Sequence, residues 1–305
     1  MDTSSLTAFV SVAELASFSL AAERLHLTQP AISKRIANLE QQMSCRLFDR
    51  IGRRITLTEA GHTLLPRARH ILLEIDDSRR VLGNLDGSIG GRLTLATSHH
   101  ISLHRLPPVL RHYRNSHPAV ELELDFTESE LAYESVLQGA VEMAIITLAP
   151  TPHPSIESGI LWTDRLRYVV AKDHPLAHTD IQGLTTLTSY NAILPSPSTF
   201  TRQLVEQRFQ QAGLNLNVAM STNYLDTIRM MVSIGFGWSL LPETLIDDSL
   251  WVIPVAAEQI TRPLGYIYHR QRTLSNAAQA LISLLQASVA NTPSGEAVAD
   301  RQDGY

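Results

Sequence analysis

Residues 17–43 read SFSLAAERLHLTQPAISKRIANLEQQM and decide the fold at the start of the chain. Ser17 and Ser19 are typical N-cap residues for a short helix through SLAAERL, because their side-chain oxygens can accept hydrogen bonds from unpaired N–H groups. Ala21 and Ala22 in that helix allow a neighbouring helix to approach closely. A tight turn is predicted to follow.

A third helix is predicted over Gln29–Met43. Thr28 is its expected N-cap, and Pro30 lies in its first turn, where the missing N–H costs nothing. The helix has an apolar stripe that we expect to face inward: Ile32, Ile36, Leu39 and Met43. Two short helices, a tight turn and a capped third helix indicate a helix-turn-helix.

The flanking segments extend this motif in both directions. Residues 6–16, LTAFVSVAELA, have apolar side chains near the 3.6-residue period of an amphipathic helix. On the other side, residues 47–61 alternate apolar and polar side chains around Gly52, which predicts a small β-ribbon or wing.

Residues 58–84 return to a helical pattern. Apolar or small side chains recur there with the 4,3,4,3 spacing of a dimerising seam: Ile71, Ile75, Ser78, Leu82 and Leu85. The glycine-rich stretch 87–91 is predicted to be a linker.

Beyond the linker, short apolar runs alternate with helical stretches, which indicates βαβ units and a mainly parallel sheet. The predicted strands are 92–97, 120–126, 141–146, 166–171, 192–194, 216–219, 238–241 and 265–269. The predicted helices are 103–115, 130–138, 201–212, 223–234 and 274–289.

Composition is that of a globular protein, with 44% apolar and 18% charged residues among 305. The net charge of −5 says little about DNA, because residues 1–65 contain seven basic and six acidic side chains and their placement matters more. The one cysteine, Cys45, is expected to be a small buried side chain. With no signal peptide and no membrane-spanning run, we expect a cytoplasmic protein that makes no membrane contact.

The string SFSLAAERLHLTQPAISKRIANLEQQMSCRLFDRIGRRITLTEAGHTLLPRA, residues 17–68, closely resembles the LysR-type transcriptional regulators of bacteria. Weaker matches follow in YRNSHPAVELEL, LQGAVEMAII, TFTRQLVEQRFQQAG and IRMMVSIGFGWSLLP. The resemblance implies an α/β protein with an all-α winged helix-turn-helix, a long linker helix and two α/β subdomains similar to a type 2 periplasmic binding protein. It also implies a homodimer, or a dimer of dimers, on a dyadic operator in double-stranded DNA.

We expect four segments along the chain. They are a DNA-binding domain at 1–58, a linker helix and hinge for dimerisation at 59–91, an effector-binding domain at 92–290 and a disordered tail at 291–305. Within the effector-binding domain, subdomain I is expected at 92–163 and 267–290, and subdomain II at 164–266.

The predicted DNA contacts follow from the position of side chains on the helix-turn-helix. The N-terminal end of a recognition helix faces base edges, basic side chains hold phosphates, and wing arginines enter a minor groove. The predicted residues are Thr28, Gln29, Pro30, Ser33, Lys34, Arg35, Arg50, Arg53 and Arg54.

The resemblance places a small-molecule inducer in a cleft between the two subdomains. Helix N-termini bind anions well, so an anionic inducer is expected where polar residues flank strand-to-helix junctions. The candidates are Thr97, Ser98, His99, His100, Thr127, Thr147, Ser198, Thr199, Thr201 and Asn223. Residues 199–202, Thr-Phe-Thr-Arg, look like the frequent Ser-Gly-Thr-Arg of the family, with Phe200 in place of glycine.

Other functions were weighed against this one. His100 and His104 have metal-ligand spacing, but no HExxH helix or nearby cysteine supports zinc, and no cofactor is expected. An enzyme is not expected, since no GxSxG elbow, P-loop or complete dinucleotide fingerprint is present. A transport-type solute-binding protein would have an export signal. RNA polymerase is a further candidate partner of a transcription regulator.

Overall fold

Two folding units, Met1–Asp86 and Gly87–Tyr305, make up the chain. The structure is a computed structural model and describes residues 1–51, 54–179, 183–255 and 260–290. The predicted tail at 291–305 therefore lies outside the described residues.

The first unit opens with three helices: α1 (Thr3–Leu15), α2 (Phe18–Arg24) and α3 (Gln29–Met43). The predicted caps are present, since Ser17 accepts a hydrogen bond from the N–H of Leu20 and Thr28 accepts one from the N–H of Ala31. The bounds predicted for α3 are confirmed, because cap, proline and apolar stripe are all local to that segment.

These helices enclose one apolar core. Ile32, Ile36 and Leu39 of α3 are fully buried, and the ring of Phe9 lies 5.4 Å from that of Phe48. Met43 was expected in this stripe, but 37% of its surface is exposed because it is the last residue of the helix.

Cys45 follows just after α3. It is also exposed, so the expectation of a buried cysteine is wrong.

A two-stranded ribbon and a long helix complete the unit: β1 (Phe48–Ile51), β2 (Arg54–Leu57) and α4 (Glu59–Asn84). The strands pair antiparallel, as the alternation predicts. Glu40 holds the entry to the ribbon, because its carboxylate accepts hydrogen bonds from the N–H groups of Leu47 and Phe48. Thr58 caps α4 by accepting from the N–H of Gly61 at 3.0 Å.

The outer part of α4 presents apolar side chains with no cover from its own unit. Leu82 is 66% and Leu85 is 78% exposed, whereas Ile71 packs against the core of the first unit. The predicted seam therefore divides into an inner residue used for folding and an outer pair that stays accessible.

The second unit contains strands and helices in alternation. In chain order they are β3 (Gly91–Ser98), α5 (His99–His104), α6 (Pro107–Ser116), β4 (Val120–Thr127), α7 (Ser129–Gln138), β5 (Met143–Thr147), β6 (Ile156–Ala171), α8 (Leu184–Leu187), β7 (Ala192–Leu194), α9 (Phe200–Gln211), β8 (Val218–Ser221), α10 (Leu225–Ser233), β9 (Ser239–Pro242), β10 (Leu250–Val252), β11 (Ile260–His269) and α11 (Asn276–Ala290). One predicted helix, 103–115, is divided into α5 and α6. Pro107 starts α6, since proline fits the first position of a helix but not its interior.

The large sheet is mixed, so the expectation of a mainly parallel sheet is wrong. Its strand order is β10-β6-β11-β5-β3-β4, with β9 also paired to β6. In the described part of this sheet the parallel pairs are β3 with β4 and β3 with β5, whereas β6 and β11 pair antiparallel along ten positions. A small parallel pair, β7-β8, stands apart.

Four clusters of buried side chains lie along the long strands β6 and β11 and form two groups, one towards each end of these strands. One group packs α5, α6, α7 and α11 onto β3, β4 and β5. The other surrounds Trp238, whose ring stacks on Phe209 at 5.7 Å. Both strands contribute to both groups, so they connect two cores into one unit.

At Gly61, α4 packs closely against the rest of the first unit. A Cβ there would lie 2.2 Å from the carbonyl oxygen of Leu47, so we expect Gly61→Ala to lower the free energy of unfolding of this unit by at least about 2 kcal/mol. Gly83 lies on the same helix with no atom within 4 Å of such a Cβ. Gly83→Ala should therefore stabilise by about 0.5–1 kcal/mol through helix propensity.

Hydrogen exchange of peptides from residues 1–86 in the full-length protein measures both changes. Equal effects of the two substitutions would contradict close packing at Gly61.

Candidate functional site

The N-terminal end of α3 carries polar side chains on the surface of the first unit. Thr28, Gln29 and Pro30 are exposed, and the amide Nε2 of Gln29 donates a hydrogen bond to the hydroxyl of Ser33 at 3.0 Å. This contact holds the amide on the helix surface while leaving its oxygen and one N–H for another partner.

The predicted basic contacts are distributed around the same helix and the ribbon. Lys34 is exposed and Arg35 is half-buried. Arg50 lies in β1 and Arg54 is the first residue of β2, whereas Arg53 lies outside the described residues. The exposed polar end of α3 and its flanking basic residues together form a surface that can meet a polyanion.

In the second unit, the carboxyl ends of β3, β4, β5 and β7 and the starts of α5, α7, α9 and α10 meet at one narrow cleft of about 60 Å³. Its lining residues are Ser98, His99, His100, Thr127, Glu128, Ser129, Glu130, Thr147, Pro195, Thr199, Thr201, Asn223, Leu225 and Arg262. The structure brings together eight of the ten predicted effector residues here. Ligand sites of open α/β sheets lie at such strand ends.

Two predicted residues do not line the cleft. Thr97 is fully buried and its hydroxyl donates to the carbonyl oxygen of Ile145 at 3.0 Å, so that side chain joins β3 to β5. Ser198 is exposed, one residue before the cap of α9.

Many polar groups that line the cleft already form hydrogen bonds within the protein. Thr199 caps α9 by accepting from the N–H of Arg202, and Asn223 accepts from the N–H of Ser196 at 2.8 Å. Ser129 accepts from the N–H of Thr147 at 3.1 Å. These contacts fix the positions of polar side chains. From the sequence, these side chains were candidates only because they follow predicted strands or precede predicted helices.

A buried ion pair beneath the cleft was not predicted. Arg262 of β11 is 3% exposed and donates two hydrogen bonds to Asp164 of β6 and one to the hydroxyl of Thr201. Arg105 donates to the other oxygen of Asp164 at 3.1 Å. Arg262 is the one Lys, Arg, Asp or Glu in β11, but the strand of Asp164 also contains Glu157, Arg165 and Arg167, so nothing in the sequence identifies this pair.

The two neighbouring histidines have different surroundings. The ring of His99 packs against Tyr224 at 4.9 Å. His100 is 93% buried, and its Nε2 lies 3.5 Å from a carboxylate oxygen of Asp164 without hydrogen-bond geometry. Burial lowers the pKa of His100, and the charge of Arg262 adds to this, while Asp164 opposes it. The ring is therefore neutral at pH 7.

The carboxyl of Asp164 has the opposite balance. Burial alone would raise its pKa, but the polar contact with His100 and the charge and hydrogen bonds of Arg262 outweigh burial and hold the pKa well below its usual range. Asp164 is therefore ionised and neutralises Arg262, so the buried pair carries no net charge.

Comparison with known proteins identifies the class. The model of the bacterial regulatory helix-turn-helix of the lysR family matches residues 3–62, and that of the LysR substrate binding domain matches residues 86–290. The chain belongs to the LysR family of DNA-binding transcriptional regulators. The expectations of a regulator rather than an enzyme, and of this α/β fold, are confirmed.

Individual relatives agree with this assignment. An uncharacterized HTH-type transcriptional regulator of Escherichia coli, YbhD, is 30% identical over 286 residues, which is 92% of this chain and 90% of that protein. The fold is similar to a full-length OxyR variant from Pseudomonas aeruginosa, with TM-score 0.67, 21% identity, and 95% and 97% of the two chains covered. It is also similar to full-length CbnR solved with its target DNA, with TM-score 0.61, 22% identity, and 95% and 100% covered.

No helix within the described ranges is long and apolar enough to cross a membrane.

The titration of His100 predicts how stability depends on pH. An unfolded histidine titrates near pH ~6.5, and the folded pKa of His100 is lower, so the unfolded state binds more protons. The stabilising contribution is complete above that pH and is lost as pH falls below it. We expect His100→Gln to flatten the decline in unfolding free energy between about pH 6.5 and pH 5.

All three tryptophans, Trp162, Trp238 and Trp251, lie in the second unit, so their fluorescence during urea unfolding reports on it. His178→Gln, which removes an exposed imidazole, is the control and should leave the pH dependence unchanged. A slope that is the same in all three proteins would show that His100 does not titrate as described.

Proposed function

We propose that this chain is a ligand-responsive regulator that forms a homodimer, reads a dyadic DNA site with α3 and is controlled by a small molecule in the cleft. The observation that carries the proposal is the convergence of eight separately predicted polar residues on that one cleft. The predicted division at 1–58, 59–91 and 92–290 belongs to the same proposal, and RNA polymerase stays an expected partner.

Base recognition is assigned to the exposed end of α3. Gln29 can bond the N6 and N7 atoms of adenine with both ends of its amide, and Pro30 offers an apolar edge to a thymine methyl. Lys34, Arg35 and Arg50 are assigned to phosphates, and the wing arginines Arg53 and Arg54 to a neighbouring minor groove. Exposure of Thr28, Gln29 and Pro30 supports this assignment, since a buried end would exclude DNA.

Dimerisation is assigned to α4. Leu82 and Leu85 are large apolar side chains left exposed by their own unit, and they continue the heptad-like spacing read from the sequence. Two copies related by a two-fold axis would cover this surface and present two α3 helices to two half-sites. A dimer of dimers would extend the contact to further half-sites.

Gln29→Ala and Lys34→Ala should weaken DNA binding in different ways. We expect Gln29→Ala to lose about 1–3 kcal/mol on the preferred site and little on random DNA, because base readout is removed. Lys34→Ala should weaken both DNAs alike and reduce the salt dependence by about one counterion per protomer.

Titration of full-length protein on a site selected from random DNA, at several salt concentrations, measures both effects. Identical losses on selected and random DNA for both variants would remove the assignment of roles.

Thr199→Ala combined with Thr201→Ala should leave DNA affinity intact and blunt the response to effector, because the two hydroxyls line the cleft. Both hydroxyls also hold structure, Thr199 as the cap of α9 and Thr201 as acceptor for Arg262. The matched control is therefore the double serine variant, which keeps both hydroxyls. A reporter driven by the regulated promoter measures the response, and a wild-type response in the alanine variant would place the effector elsewhere.

A further inference from the structure

Two glutamates at the start of α7 accept hydrogen bonds from residues on the opposite wall of the cleft. Glu128 precedes α7 and accepts a hydrogen bond from the side-chain amide of Asn223 at 2.6 Å. Glu130 lies in the first turn of α7 and accepts one from the backbone N–H of Phe200 at 2.6 Å. Neither glutamate was among the residues predicted from the sequence.

The contact with Phe200 changes what the start of α9 can bind. The first N–H groups of a helix attract anions, and the first residue of α9 already donates to a carboxylate of the protein. An effector with only negative charge would have to displace Glu130 and would also face Glu128. Like charges repel more strongly in a narrow cleft within the protein than they do in bulk water.

Neither Glu128 nor Glu130 is directly paired with a cation in the part of the chain that the structure describes. Among the described residues, no lysine, arginine or histidine forms an ion pair with Glu128 or Glu130 within 4.0 Å. Arg262, the cation that lines the cleft, is neutralised by Asp164. Burial raises the pKa of Glu130, and the charge of Glu128 adds to this, while the N–H groups of Phe200 and Glu130 and the more distant charge of Arg262 oppose the change. An ionised carboxylate in such a place is costly unless a cation joins it.

The other side of the cleft offers groups that bind an anion. Arg262 uses three of its N–H groups for Asp164 and Thr201, and a guanidinium has five, so donors remain for a ligand. His100 is nine-tenths buried at the same cleft, where its Nε2 faces the carboxylate of Asp164 at 3.5 Å and its Nδ1 has no hydrogen-bond partner among the described residues. A buried ring nitrogen without a partner is a group that a ligand can satisfy.

We infer that the effector is a small zwitterion, an α-amino acid, whose ammonium group binds Glu128 and Glu130 and whose carboxylate is bound by Arg262 and the threonine hydroxyls. The inference rests on the proposed function, since it assumes that the effector occupies this cleft. Such a zwitterion has the anionic group expected from the sequence, and its ammonium group supplies the positive charge that would pair with the two carboxylates. The volume of about 60 Å³ favours a small member of the class.

The test is a thermal-shift titration of the full-length protein with the twenty standard L-amino acids. Each amino acid is matched with the carboxylic acid that lacks its amino group and with the amine that lacks its carboxylate. We expect at least one amino acid to raise the Tm by about 3 °C or more, because a ligand of the folded state stabilises it. Both matched analogues should bind at least ten-fold more weakly.

Charge-removing variants separate the carboxylates from their hydrogen bonds. Glutamine can still accept a hydrogen bond from Phe200 or Asn223, so Glu128→Gln and Glu130→Gln remove the negative charge and keep the contact. Each should weaken binding of the amino acid at least ten-fold. Glu134→Gln, an exposed position on the same helix, makes the same change outside the cleft and should bind as the wild type does.

Three results would overturn the inference. The first is a carboxylic acid that binds as tightly as the matching amino acid, and the second is a panel in which no amino acid raises the Tm. The third is that Glu128→Gln or Glu130→Gln binds a carboxylic acid more tightly than the wild type does while binding no amino acid. The proposed function would survive each of them, provided that the reporter response is still lost in the Thr199→Ala, Thr201→Ala variant and kept in its serine control. The proposed function itself would be contradicted if the reporter response were kept in the Thr199→Ala, Thr201→Ala variant.

Discussion

The buried contact between Arg262 and Asp164 is the constraint on which the effector-binding unit depends. Each residue lies on one of the two long antiparallel strands, β11 and β6, that join the two apolar cores. Thr201 at the start of α9 and Arg105 after α5 attach to the same pair, so helices from both cores meet at one charge cluster. A buried pair is weak evidence for added stability, but removing one partner leaves an uncompensated charge, so the arrangement specifies one geometry of the cleft.

Local features of the chain could be predicted, because their causes are local. The threonine and proline at the start of α3 and its apolar stripe identify the helix to the residue. The first part of β6 and the short β10 were missed, since residues 156–165 become a strand through pairing with β11 rather than through their own pattern. The parallel texture of β3, β4 and β5 was likewise extended wrongly to strands whose partners lie far along the chain.

The candidate site shows the same division. The hydroxyl residues Thr127, Thr147, Thr199 and Thr201 were predictable because polar residues at strand ends and helix starts converge in α/β folds. Glu128 and Glu130 follow one of those strands directly, yet their role depends on Asn223 and Phe200, which lie some 70 to 95 residues further on. No pattern within a segment carries that information, so these two carboxylates were not among the cleft residues predicted from the sequence.

The helix starts of α3 and α9 differ in the side chains that contact them. The start of α3 is exposed, with Gln29 held only by a neighbour on its own helix, so its polar groups stay available to a large anionic partner. The start of α9 has the same N–H donors and a threonine cap, but a carboxylate from α7 occupies its first donor. The positive end of a helix is thus a general property of the backbone, whereas its ligand is decided by side chains brought in from elsewhere in the fold.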